Sequence, residues 1–77
     1  MKVGRYIKIT GAQSHLFHQS WLGVVGKVVG EGDQLYFQPL MDANHCLFPD
    51  KMVRFPLKTF VFTEPSLEEV TMLQLCS

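Results

Sequence analysis

The segment GVVGKVVGEGDQLYFQPL, residues 23–40, carries the clearest structural signal in the chain. Its valine-rich first part predicts a strand over residues 21–29, and its apolar and aromatic second part predicts a returning strand over residues 34–40. The glycines of Gly-Glu-Gly-Asp, residues 30–33, supply the positive φ that a tight hairpin turn needs. Pro39 predicts an edge or an ending in the returning strand, because proline cannot donate a backbone hydrogen bond to a neighbour.

Two glycines three residues apart, Gly23 and Gly26, interrupt the first of these strands. Glycine inside a strand marks a bend, a bulge or a close backbone approach, and small barrels need such bends to close. Upstream, alternating side chains predict another strand over residues 3–10, which Gly11 ends. Residues 12–20 then form a long loop of mixed polar and apolar character.

The second half of the chain holds shorter strand signals. Turn residues make residues 41–51 irregular, and a short strand over residues 52–55 is cut by Pro56. A run of β-branched and aromatic residues predicts a clearer strand over residues 59–63, with Phe60 and Phe62 on one face.

The C-terminal tail allows two structures. Ser66 and Glu69 have the spacing of a capping box, which predicts a helix start. Because the apolar residues beyond them alternate, we favour one helical turn over residues 66–69, followed by a strand over residues 70–75 that pairs with the first strand. The alternative is a continuous short helix over residues 66–75.

A recurring pattern runs through the first 29 residues: a glycine, an alternating strand with a basic residue, a second glycine, and two glycines three apart in a valine-rich strand. The residues that carry it are Gly4, Tyr6-Ile7-Lys8-Ile9-Thr10-Gly11 and Gly23-Val24-Val25-Gly26-Lys27-Val28-Val29. In this pattern the chain resembles SH3-like barrels of the KOW type, and residues 67–73 resemble the last turn and strand of such barrels. The chain departs from the KOW pattern in residues 12–22, where a standard segment has only a few residues.

The resemblance implies a mainly all-β fold: a small five-stranded antiparallel SH3-like barrel, with one short helical turn near the C-terminus, in a single domain over residues 1–77. KOW-like barrels bind RNA, ribosomal proteins or RNA polymerase, and other SH3-like barrels are protein adaptors. Fold analogy alone does not choose among these functions.

The charges balance overall but are distributed unevenly. Seven Lys and Arg residues match seven Asp and Glu residues. Residues 1–30 carry four basic and no acidic side chains, whereas residues 31–77 carry three basic and seven acidic ones. A zero net charge is unfavourable for a dedicated nucleic-acid binder, although a basic face suits one. We expect a cytoplasmic protein with reduced cysteines, because no signal segment, long apolar run or framework of cysteine pairs is present.

Metal binding and catalysis have few candidate residues. His15, His18, His45 and Cys46 are possible ligands, but structural zinc sites use clear ligand pairs and neighbouring strand residues point to opposite faces. Cys46 beside His45 is poorly placed for a nucleophile and its base, because adjacent residues rarely reach each other in the geometry required. The sequence therefore predicts no metal, no cofactor and no enzymatic activity.

Large apolar residues exceed what a barrel of this size can hide. Without Met1, and with Ala and Cys left out, the chain has 31 of them, while each strand buries about every second residue. The surplus predicts a patch covered by another protein or by a second copy of this chain. Much of it crowds one half of the sequence, at Leu35, Tyr36, Phe37, Leu40, Met41, Leu47, Phe48, Met52, Phe55, Leu57, Phe60 and Phe62.

These observations predict a non-catalytic accessory or regulatory module that docks onto a larger protein or nucleoprotein complex, without contacting a membrane. Trp21 and Phe17, on the long loop, are the predicted anchors, so Trp21→Ala is expected to remove partner binding and leave the fold intact. The polar candidates around them are Tyr6, Lys8, Lys27 and Arg54. The alternative is a KOW-type domain that binds RNA or DNA through its basic N-terminal strands, with aromatic rings stacking on bases.

Overall fold

The computed structural model describes residues 2–12, 19–49 and 53–76. Its strands are β1 (Tyr6–Ala12), β2 (Val25–Glu31), β3 (Gln34–Met41), β4 (Phe55–Pro56) and β5 (Phe60–Thr63), and they are followed by the helix α1 (Leu67–Leu75). Two 3-10 turns, Gln19–Trp21 and Leu57–Thr59, precede β2 and β5 respectively. The strands form one antiparallel sheet in the order β4-β3-β2-β1-β5, curled into a half-barrel. The predicted mainly-β, five-stranded fold class is confirmed.

The hairpin of β2 and β3 forms where the sequence predicts it. Gly32 occupies the turn with φ 61°, in the left-handed region that glycine adopts at little cost. At the other end of the hairpin the register shifts between Val25 and Gly26, so the strand glycine does mark a bulge. Pro39 lies inside β3, beyond the two residues that pair with β4, and a proline is tolerated there because β4 does not extend far enough to need its N–H.

The main core lies on the concave face of the curled sheet. Alternate residues of the strands point into it, as expected for strands with one buried face. Its buried side chains are those of Ile7, Ile9, Val24, Val28, Phe37 and Phe60. Trp21, Leu35, Phe48, Phe55, Leu57 and Phe62 pack around them and are half-buried.

A smaller apolar cluster lies on the opposite side of the sheet, which we call the outer face. Residues of β1 and β2 with the opposite parity to the core project there, the last two residues of β3 join them beyond the register shift, and α1 packs against them. The cluster joins buried Val25, Met41 and Leu73 to half-buried Tyr6, Leu40 and Met72. The helix therefore extends the fold on its convex side instead of closing the barrel.

The predicted strand over residues 70–75 is wrong, and the continuous helix is the correct alternative. Ser66 and Glu69 form both bonds of the capping box: Glu69 N–H donates to Ser66 Oγ, and Ser66 N–H donates to Glu69 Oε1. Within α1, Leu73 is 5% exposed but Leu75 is 80% exposed, so the alternating leucines do not share a buried face. The edge of β1 that the strand was expected to fill is occupied by β5.

Other boundaries differ by a few residues. β1 continues through Gly11 to Ala12 across an irregularity in its pairing with β5. Trp21 belongs to a 3-10 turn, and β2 starts four residues later, after Gly23 with φ 84°. The fourth strand is reduced to Phe55–Pro56. The predicted loop residues His15, Phe17 and His18 lie outside the described residues.

Candidate partner-binding surfaces

Two of the predicted partner-binding residues, Tyr6 and Lys27, lie opposite each other on β1 and β2. Both side chains belong to the outer face and are half-buried, and Tyr6 packs against the cluster beneath α1. Lys27 forms no ion pair with any residue of the described segments. Among the described residues, Lys27 is thus a cation without an acidic partner, and it lies opposite an aromatic ring.

Lys8, the next candidate on β1, forms an ion pair with a carboxylate of α1. Its Nζ lies 3.3 Å from both carboxylate oxygens of Glu69, whose side chain is 6% exposed. His45 Nε2 approaches the same group at 3.8 Å, and Ser66 N–H donates to it at 2.9 Å. Burial raises the pKa of the Glu69 carboxyl, but the hydrogen bonds from Ser66 and Lys8 and the charge of Lys8 together hold that pKa below its usual 4.5. Glu69 therefore links α1 to β1 as an ion.

Acid should weaken the fold through Glu69. Because the folded pKa lies below the unfolded value near 4.5, the stabilisation is complete above that value and is lost as pH falls through the folded pKa. We expect the free energy of unfolding, measured by urea titration between pH 7 and pH 3, to fall less steeply in Glu69→Gln than in the wild type. Glu68→Gln, on the exposed side of α1, is the control and should keep the wild-type slope. An identical slope in Glu69→Gln would contradict the role of this carboxylate.

Further ion pairs neutralise other basic side chains. Arg5 pairs with Glu64 at 2.7 Å, and Arg54 lies 3.6 Å from Glu31 while its Nε donates to Gln38 at 2.8 Å. Exposed pairs of this kind add little stability, but they cancel charge. Ion pairs within the fold therefore neutralise part of the charge difference between the basic N-terminal and the acidic C-terminal part. Arg5 and Lys8 both pair with acids from beyond residue 60.

The predicted anchor Trp21 is held by the core. Its ring lies 4.9 Å from the ring of Phe55 in an edge-on arrangement, and 6.2 and 6.4 Å from Phe60 and Phe48. Such edge-to-face contacts are the favourable geometry for aromatic pairs. Trp21 is half-buried, so only part of it is open to a partner. The second predicted anchor, Phe17, lies outside the described residues.

An open apolar groove of about 650 Å³ lies between the two ends of the sheet. The 3-10 turn Leu57–Thr59, which connects β4 to β5, forms one wall, and the start of β3 forms another. Phe60 N–H donates to the carbonyl oxygen of Leu57 and fixes the end of that turn. The groove is lined by Gln34, Leu35, Pro56, Leu57, Lys58, Phe60, Val61 and Phe62.

The groove combines exposed apolar surface with a single charge. Val61, at its rim, is 46% exposed, and Lys58 is the one charged residue among those that line it. Lys58 forms no ion pair with the parts of the chain that the structure describes. Such a site can take apolar side chains and one anionic group.

Several of the apolar residues that line the groove stand out in the sequence, but the sequence does not show that they lie together. Leu35, Leu57, Phe60 and Phe62 belong to the apolar surplus, but that surplus also contains core residues such as Phe37. Leu35 and Leu57 are 22 positions apart in the sequence, which hides the fact that they line the same groove. The signal that could have found the groove is Phe-Pro-Leu-Lys at residues 55–58, because a proline and a 3-10 turn that end an edge strand leave neighbouring side chains uncovered.

Of the residues considered for metal binding and nucleophilic chemistry, His45 and Cys46 lie in the described segments, and there they do not assemble into a site. Among residues 2–12, 19–49 and 53–76, no group of three or more His, Cys, Asp or Glu side chains could hold a metal ion. His45 faces Glu69, while Cys46 N–H donates to Asp42 Oδ1 and its thiol is exposed. Cys76 is a free, exposed thiol as well.

Comparisons with protein-family models, curated proteins and solved structures find no match for this chain. Within the described residues, no helix has the length and apolar character needed to cross a membrane.

Proposed function

We propose that this protein is a non-catalytic binding module that docks onto a larger protein through the groove between β4 and β5. The observation that carries the proposal is the apolar lining of that groove, in which Leu35, Leu57 and Phe62 are half-buried and Val61 is exposed. Apolar and aromatic side chains at the centre of a surface site, with polar groups at its rim, are typical of protein interfaces. Gln34 and Lys58 supply the polar rim here.

A protein partner fits this surface better than a nucleic acid does. Affinity for phosphate backbones grows with the number of Lys and Arg side chains that meet phosphates. On the outer face, Lys8 and Arg54 already face Glu69 and Glu31, which leaves Lys27 beside Tyr6. Nucleic-acid binding through the basic N-terminal strands remains the second candidate, supported by that pair.

A substitution at the groove rim should remove the partner while leaving the fold intact. Val61→Asp places a charge where apolar contact is expected, and we expect it to reduce the amount of partner captured from a lysate of the source cells at least tenfold. Val53→Asp is the matched control, because Val53 is 69% exposed and lies outside the groove lining. Circular dichroism of both variants establishes that they are folded.

Two results would count against docking at the groove. Equal capture by Val61→Asp and Val53→Asp would mean that the groove is not the contact surface. Alternatively, Lys27→Glu alone could lose capture, and nuclease could disrupt the wild-type complex. That result would mean that the protein binds nucleic acid through its outer face.

A further inference from the structure

The groove has one unpaired charge of each sign beside its apolar lining. Lys58 lies in its wall, and Asp33 immediately precedes the lining residue Gln34 in the turn between β2 and β3. Both side chains are exposed, and neither forms an ion pair with another residue of the described segments. The other acid of that hairpin end, Glu31, is already paired with Arg54. The surface therefore offers a cation and an anion to whatever covers the groove.

A surface with this pair of charges is complementary to a copy of itself. In a dimer with a two-fold axis, the same patch of both copies forms the interface, so each contact between two different residues occurs twice. Lys58 of each copy can then meet Asp33 of the other, and two opposite-charge pairs form at once. Such pairs fix the register of an interface and select the correct partner.

The apolar side chains of the groove suit the same arrangement. Val61 is 46% exposed at the rim, whereas Leu35, Leu57 and Phe62 are half-buried in the lining. Under the two-fold axis, Val61 of each copy can enter the groove of the other, and water leaves both linings. Removal of apolar surface from water favours association roughly in proportion to the area removed.

No net charge opposes the meeting of two copies. Seven basic and seven acidic residues balance over the 77 residues of the chain, and a net charge near zero promotes association between identical molecules. A domain this small also leaves much of its surface outside the core, so burial of the groove lining is a sizeable gain for each copy.

We propose that the groove is also a self-association surface, on which a second copy of this chain docks about a two-fold axis, with Lys58 of each copy against Asp33 of the other and Val61 in the facing groove. The inference goes beyond the proposed function and does not rest on it. Because a larger partner and a second copy need the same lining, the dimer is the closed form of the groove and the monomer is the form that docks.

Sedimentation equilibrium of the full chain, from about 5 μM to about 1 mM, tests self-association over the affinity range of weak dimers. We expect the apparent mass of the wild type to rise from that of one chain, 8.8 kDa, toward twice that value. Lys58→Glu and Asp33→Lys each bring like charges together at two places, so each should weaken the dimer at least tenfold. Lys2→Glu and Glu68→Lys change the net charge by the same amounts at exposed positions outside the groove lining, and should associate as the wild type does.

An equimolar mixture of the two groove variants is the sharper test. In a mixed dimer of Lys58→Glu and Asp33→Lys, the two introduced charges attract each other, and the two native charges form the second pair. We expect the mixture to dimerise with near wild-type affinity at concentrations at which each variant alone is a monomer. Circular dichroism of each variant establishes that it is folded.

Three results would overturn the inference: a wild type that stays monomeric to about 1 mM, a dimer that tolerates both groove variants, or a mixture that stays monomeric. Capture that is sensitive to Val61→Asp, combined with any of these results, would retain the docking function and reject self-association at the groove. A dimer restored in the mixture, combined with equal capture by Val61→Asp and Val53→Asp, would retain the inference and reject docking.

Discussion

Gly26→Ala should destabilise the protein by about 3 kcal/mol or more, because overpacking a tight site costs this much when the surroundings cannot yield. A β-carbon at Gly26 would lie 2.3 Å from the carbonyl oxygen of Gln38 and 2.5 Å from the ring of Phe37. Both neighbours belong to β3, the strand paired with β2, and Phe37 is fully buried. A chain of this length has a total stability of about 4 to 12 kcal/mol, so this variant loses much of it.

The measurement is urea unfolding, followed by the fluorescence of Trp21. Gly11→Ala is the matched control: Gly11 is also a strand glycine, but among the described residues its added β-carbon would meet only Val61 Cβ, at an ordinary 3.8 Å. We expect the control to unfold near the wild-type midpoint. A wild-type midpoint for Gly26→Ala would show that β2 and β3 separate easily, and would contradict the tight packing of this hairpin.

The same glycine shows how far the sequence determines the fold. Its position in a valine-rich strand predicts a bend, a bulge or a close approach, and the structure has both a bulge and a close approach there. The hairpin is predictable because its signals are local: alternating strands and turn glycines lie within 20 residues of one another. The group that packs on Gly26 cannot be predicted from neighbouring residues in the sequence, because it depends on the register in which β3 pairs with β2.

The tail carries two local signals that predict different structures. The capping box at Ser66 predicts a helix, and the alternating apolar residues beyond it predict a strand. The helix forms because both capping bonds are made and because Glu69 is buried against Lys8. That contact joins residues 61 positions apart, so the sequence pattern could not show it.

The sequence predicts that the chain has an excess of apolar surface, but it does not predict where on the fold that surface lies. Composition predicts an apolar surface in excess of the core, and the groove supplies such a surface. In the sequence Lys8 and Arg54 look like free cations that a partner could contact, whereas folding brings each of them to an acid. The periodicity of the sequence assigns side chains to the two faces of a single strand, but it does not predict that β3, the 3-10 turn Leu57–Thr59 and β5 line one groove.

Trp21→Ala is expected to lower the free energy of unfolding by about 3 kcal/mol, the low end of the cost of truncating a packed tryptophan. The low end applies because the side chain is half-buried and not fully enclosed. Its ring contacts Phe55, Phe60 and Phe48, so truncation opens a void between the 3-10 turn Gln19–Trp21 and the core. This outcome differs from the expectation, drawn from the sequence, that the fold is indifferent to this residue.

Circular dichroism must follow the unfolding of this variant, since the substitution removes the fluorescent side chain. Leu22→Ala is the control, because Leu22 is the neighbouring residue, is 41% exposed and belongs to neither apolar cluster, so its truncation should cost well under half as much. A wild-type midpoint for Trp21→Ala, together with loss of the captured partner, would restore Trp21 as a binding anchor. A lowered midpoint with capture retained below the transition assigns Trp21 to the core and leaves docking to the groove, because a core residue affects binding only through the folded fraction.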